Sequence, residues 1–140
     1  MTTIDDLGYH DLHAALATRF GITFACFNNG GGCHIWETRL ETGHWLWVSD
    51  YDPWIIPRAC RQAAEDNGHP VGWQINIYAH QPDTDSADTR TCLAGVHHAT
   101  ATAEQLPDLI EQTLRALPGR EHHHYSADGT HTVRHGAQHY

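Results

Sequence analysis

A chain of 140 residues that is 40% hydrophobic is long enough to bury a real core as one domain, and no apolar run in it approaches the roughly 20 residues that span a bilayer. With 17 acidic residues against 8 basic ones, all arginine and scattered singly, the formal charge of -9 argues against direct nucleic-acid binding, which draws on clustered cations. Only 18% of residues are charged and no carboxylate run imitates a phosphate ladder, so mimicry of DNA is no better founded.

The opening Met1-Thr2-Thr3-Ile4-Asp5-Asp6 lacks the basic and apolar regions of a signal peptide, so the expected location is cytoplasmic. Thr3 as a cap, Asp5 and Asp6 at the positive end of the helix dipole and Gly21 after the far end frame a first helix. Ile4, Leu7, Leu12, Ala15, Leu16 and Phe20 lie along it as one stripe at helical spacing. Three strands follow, at 22–27, 33–40 and 44–48, separated by the turn signals Asn28-Asn29-Gly30-Gly31-Gly32 and Glu41-Thr42-Gly43. They read as an antiparallel meander. Asp52-Pro53 offers a cap and a first-turn proline, Pro57 delays the regular part of the second helix, and Asn67-Gly68 stops it. Residues 71–80 form a strand in which Val71, Trp73, Ile75 and Ile77 alternate with Gly72, Gln74, Asn76 and Tyr78. After a polar loop at 81–90 comes a fifth strand, 91–101. Thr102 and Gln105 then make a capping box that opens the most amphipathic helix, carrying Leu106, Leu109, Ile110, Thr113, Leu114 and Leu117 and closed by Pro118-Gly119.

The order α-β-β-β-α-β-β-α predicts an α+β domain over residues 1–119: a five-stranded, mainly antiparallel sheet with three helices on one face. Residues 120–140 stand apart as a His-rich C-terminal hairpin or flexible tail.

That order, with the glycine-rich first hairpin at residues 28–32 and the closing Leu106–Leu117 helix, resembles the type III secretion chaperones over residues 4 to 118. The resemblance implies a dimer that binds partner chains and catalyses nothing. The five tryptophans, the histidines and the extra tail depart from it. Gly30-Gly31-Gly32-Cys33, Trp45-Leu46-Trp47-Val48-Ser49-Asp50 and Val71-Gly72-Trp73 also look like segments of small uncharacterised proteins from actinobacteria and their phages; no function follows from that likeness.

In the third strand Trp45 and Trp47 point to one face, Leu46 and Val48 to the other. An open antiparallel sheet normally keeps one polar face. Helices over one side would leave an indole patch on the other, of the kind that anchors interfaces. The candidate partner-binding residues are therefore Trp36, Trp45, Trp47, Trp54 and Tyr78, with Gln74 and Asn76 in a polar rim. If helices cover both faces, the rings are core instead.

Fourteen histidines suggest a metal. Were Asp128-Gly129 the two-residue loop of a tail hairpin, His122 would face His135 and His124 would face Val133, placing His122, His124, His131 and His135 on one side, close enough to share a zinc ion. The bland alternative is a polar tail that binds nothing. Cys26, Cys33, Cys60 and Cys92 match no zinc, redox or iron–sulfur spacing and read as inert thiols. Cys33-His34 diverge along a strand, Gly30-Gly31-Gly32 opens no helix, and no Ser-centred elbow or HExxH occurs, so no catalytic residue is assigned. The resulting expectation is a non-catalytic protein-binding adaptor or inhibitor-type accessory protein, a homodimer of phage or mobile-element type acting on a host protein, without cofactor. A metal-binding protein using the tail, and a small enzyme with a pocket of groups such as His34, Asp50 and His98, are the alternatives.

Overall fold

The computed structural model describes residues 3–28, 34–52, 55–82 and 91–139. The Gly30-Gly31-Gly32 turn, Cys33, Pro53, Trp54 and all but the start of the polar loop lie outside the described residues.

The first helix, α1, spans His10–Phe20, starting later than its stripe predicts. Thr3 and Asp6 exchange reciprocal side-chain bonds, Thr3 N to Asp6 Oδ2 at 2.9 Å and Asp6 N to Thr3 Oγ1 at 3.0 Å. They close a local turn there, and Gly8 at φ 88° carries the chain out of it. Ile4 and Leu7 are buried all the same. At the other end Gly21 adopts the left-handed conformation and donates to Ala17 O, as a C-terminal glycine should.

The antiparallel strands β1 (Ala25–Asn28), β2 (His34–Arg39), β3 (Trp45–Ser49), β4 (Trp73–Tyr78) and β5 (Thr91–His98) pair in chain order, with a bulge between β4 and β5 at Ile77/Tyr78. Helix α2 (Arg58–Asp66) sits between β3 and β4. It is preceded by Pro57 and not capped by Asp52. After β5 the expected Thr102–Gln105 capping box forms; it opens one 3₁₀ turn (Ala103–Gln105) that runs into α3 (Leu106–Ala116).

The sheet does not stop at five strands. Helix α3 packs back across β4 and β5, so the chain leaving it at residue 121 arrives beside β5 running the same way. Strand β6 (Glu121–Tyr125) is accordingly parallel to β5, the outcome of a strand–helix–strand crossover. Strand β7 (His131–His135) returns antiparallel to β6, and a two-residue β8 (Gln138–His139) pairs with the start of β5. Among the described residues the sheet thus runs β1-β2-β3-β4-β5-β6-β7, seven strands of mixed direction plus β8. The α+β class is as expected; the five-strand count is corrected, because the tail extends the sheet.

One side of this sheet carries the core. Leu12 and Leu16 of α1 and Leu106, Leu109 and Ile110 of α3 meet Trp36, Leu46, Val48, Trp73, Ile75, Ile77 and Val96 from the strands. Helix α2 joins through Arg61, which is fully buried. Its guanidinium lies 3.6 Å from the Trp73 ring centre, pairs with the Asp50 carboxylate, and donates to Tyr9 OH (3.1 Å) and Gly72 O (3.0 Å). The other Asp50 oxygen accepts from Ile56 N at 2.9 Å. Ion pairing, hydrogen bonds and aromatic contact together satisfy a charge that burial alone would make very costly. No helix among the described residues is long and apolar enough to cross a membrane.

Candidate functional site on the helix-free face

The pairing registers lay the other face out in rows. One row crosses the strands as Glu37, Trp47, Asn76, Gly95, His122 and Arg134. A second runs Ser49, Gln74, His97, His124 and Thr132, and a third joins Arg39, Trp45, Tyr78 and Cys92. None of the three helices contributes to these rows. Two regions result, an aromatic one on β2–β4 and a histidine one on β5–β7.

In the aromatic region Trp45 and Trp47 are half-buried, whereas Leu46 and Val48, their alternates in β3, are completely buried. Trp47 is held in place. Its Nε1 donates to Glu37 Oε2 at 2.6 Å, the other Glu37 oxygen accepts from Gln81 Nε2 at 3.0 Å, and its ring stands edge-on to Tyr78 at 5.5 Å. Tyr78, only 4% exposed, forms the floor under the indole. Trp36 does not belong to this group. It lies on the opposite side of the sheet, fully buried against Tyr9, Phe24 and Trp73. As an even-numbered member of β2 it follows the core-facing alternation, so it is a core residue and the partner-binding assignment is corrected. Trp54 falls outside the described residues.

The tail histidines are also rearranged. Gly129 N donates to Ser126 O at 3.0 Å, Ser126 N to Thr130 O at 2.9 Å, and Gly129 has φ 88°. This is a three-residue loop ending in a left-handed glycine in place of a two-residue turn. Its bonds to Asp128 Oδ1 from Ser126 Oγ and from Thr130 N hold the longer form and keep that exposed carboxyl low, at about 2. The register therefore slips by one: His122 faces Arg134, His124 faces Thr132 and Tyr125 faces His131. A slip of one residue sends alternate side chains to opposite faces. His122 and His124 lie on the helix-free face, His131 and His135 on the other, so the four-histidine zinc face is not formed. Among the described residues no group of three or more His, Cys, Asp or Glu side chains is placed to hold a metal ion. On the helix side, Tyr125 stacks between His98 (4.8 Å) and His131 (4.1 Å) and accepts from Gln112 Nε2 at 2.8 Å, while His123 bonds Glu121 and His131.

What the crossover does assemble is a cavity of about 300 Å³ lined by Tyr51, Gly95, His97, His122, His124, Thr132 and Arg134. Gly95 makes room for it. A side chain there would bring its first carbon to 2.8 Å from Asn76 Oδ1 and 3.1 Å from Ile75 O, so that Asn76 would have to move. Asn76 Oδ1 lies 2.7 Å from His97 Nε2 and, as an acceptor, places the ring proton on that nitrogen. Tyr51 OH lies 2.6 Å from His124 Nε2 with the two rings coplanar within 3°. His97 and His124 stand edge to face at 6.4 Å. Burial, reinforced by its neighbours His124 and His122, pushes His97 down to about 4; burial likewise lowers His122, which is 5% exposed. Both imidazoles are neutral at neutral pH.

Sequence reading assigns none of His97, Tyr51 or Arg134 to a site; the neighbours His97 and His98 point to opposite faces of their strand and so form none together. The groups it offered for a catalytic pocket go elsewhere: Asp50 is consumed by Arg61, and His98 stacks on the helix side. Cys26 is half-buried, Cys60 is exposed, and the Cys92 thiol, pushed up to about 12 by burial, is inert as expected of a small core group. The chain matches no protein-family model, no curated protein and no solved structure.

Proposed function

We propose that this chain is a non-catalytic protein-recognition domain, an adaptor or inhibitor-type accessory factor, that docks a second polypeptide on the helix-free face of its sheet. Trp45 and Trp47 are the anchor, seated on Tyr78, and a second copy of the chain is the partner to look for first. The observation carrying this reading is that two indoles remain only half-buried on a face that none of the three helices covers, whereas Leu46 and Val48, their alternates in the same strand, are buried completely. A large flat ring brings much contact area at little entropy cost. The Glu37 bond fixes Trp47 before any partner arrives, which lowers the ordering cost of association. Gln74 and Gln81 supply a polar rim of the sort that surrounds interface cores, whereas Asn76, expected in that rim, is buried and bonded to His97 and Gln74.

Light scattering on the wild type and on a Trp45→Ser/Trp47→Ser variant tests the proposal. The wild type is expected at twice the monomer mass and the variant at the monomer mass, with matching circular dichroism. A wild type that stays monomeric at high concentration contradicts self-docking. A variant that unfolds shows that the rings serve the core.

A further inference from the structure

We propose that the cavity between β5, β6 and β7 is a binding site for a small oxyanion, a phosphate or carboxylate group borne by a small molecule. The inference goes beyond the docking surface and uses a different region of the face.

Its first support is the chemistry of the lining. Thr132 offers a hydroxyl, Arg134 a guanidinium, and the bonded pair Tyr51 and His124 one further proton between them, while the neutral His97 ring spends its proton on Asn76 and the His122 ring bonds the Gly136 backbone. Among the described residues no carboxylate lines it, in a chain with 17 acidic residues and a formal charge of -9. The carboxylate in the Arg134 row, Glu37, stands five strands away and is engaged by Trp47 and Gln81. Among the described residues Arg19 pairs with Asp108 and Glu111, Arg58 with Asp11, Arg61 with Asp50 and Arg115 with Glu111, while Arg39 and Arg120 have no carboxylate partner. Arg134 has none within ion-pair reach among the described residues. A fork of permanently charged donors at the mouth of a hollow with a free Thr132 hydroxyl is suited to a carboxylate or phosphate group.

The second support is shape. Gly95 lines the cavity between Asn76 and His122 in its row, and a side chain there would crowd Asn76. The cavity's size lies at the small end of the roughly 300–1,000 Å³ typical of ligand pockets. The Asn76 bond to His97 and the Tyr51 bond to His124 fix two of the three rings before anything binds.

The third is electrostatic. The titratable and charged groups facing His97 are Tyr51 from the segment after β3, His122 and His124 from β6 and Arg134 from β7; β4 contributes the uncharged Gln74 and Asn76. None of these described groups is an anion, and burial holds His97 and His122 below the usual histidine range. A bound anion favours the protonated ring, and occupancy therefore draws protons from solvent.

Ring-nitrogen NMR of the histidines in the full chain at neutral pH is the experiment. Inorganic phosphate and succinate are titrated separately, with chloride at matched ionic strength as the control. At least one of the two is expected to move the His97, His122 and His124 signals saturably, leaving exposed His10 and His69 unchanged, and the arm that does so identifies the ligand class. Arg134→Gln is expected to weaken binding roughly ten-fold or more. Because Arg134 is exposed, that variant keeps its fold. The Trp45→Ser/Trp47→Ser variant is expected to bind the anion as the wild type does, which separates this site from the docking surface. Absence of saturable shifts with both anions, or undiminished affinity in Arg134→Gln, overturns the proposal.

Discussion

The two faces of the sheet are built from the same strands and differ in what finishes them. On the helix side Leu46, Val48, Trp73, Ile75 and Ile77 are fully covered, and even a charge, Arg61, is sealed in with a complete set of partners. On the other side Trp45 and Trp47 are half-covered, and the cluster around His97 encloses a hollow. Chemistry alone does not separate the faces, since both hold tryptophans. Coverage does: the tryptophans of the helix side are sealed within one subunit, although Trp36 Nε1 finds no hydrogen-bond partner there, whereas among the described residues the helix-free face keeps partly exposed indoles and an arginine without a carboxylate.

That contrast breaks most visibly if the sealed side tolerates damage. Asp50→Ala leaves Arg61 buried without its counter-charge and is expected to cost about 3–5 kcal/mol in urea unfolding. Trp36→Ala is expected to cost a similar 3–5 kcal/mol, mostly through the cavity left among Tyr9, Phe24 and Trp73. The helix-free face responds differently, and first to pH. His97, ordinarily near 6.5 and held at about 4, is neutral in the folded protein while the unfolded chain already binds a proton. Its contribution is therefore level above about 6.5 and is lost as pH falls toward 4, by up to about 3 kcal/mol. His122 and His98 act in the same direction. Unfolding curves of the wild type and His97→Gln across that range isolate the His97 share, and the variant should show the shallower loss. Gly95→Ala, pressing a methyl group against Asn76 and Ile75, is expected to cost about 1–3 kcal/mol and to abolish anion binding. Trp47→Ser should be mildest for stability, about 1 kcal/mol from the Tyr78 contact, while removing association.

Much of the sealed side was legible in the sequence because it obeys alternation. Trp73, Ile75 and Ile77 in β4, Leu46 against Trp45 in β3, and Leu106, Leu109 and Ile110 in α3 all land where their spacing puts them. The Arg61–Asp50 pair gives no such signal, since neither residue sits in a motif and only the fold brings an α2 arginine under the end of β3. Trp36 was misassigned because aromatic density was read without following the phase of β2. The histidine region needed two facts that spacing did not supply: that α3 returns the chain parallel to β5, and that the loop at residues 126–130 has one more residue than Asp128-Gly129 suggests. The first clue was available, a strand, an amphipathic helix and a further extended segment in succession; the second depends on Ser126 and Asp128 side chains choosing the longer turn.

Replacing tryptophan by 5-fluorotryptophan and following the fluorine spectrum over a wide range of protein concentration tests the contrast between the faces most directly. The Trp45 and Trp47 resonances should move as association proceeds, and Trp36 and Trp73 should hold their positions. A spectrum in which all four are stationary, or in which only Trp36 and Trp73 respond, would contradict a sheet sealed on one side and docking on the other.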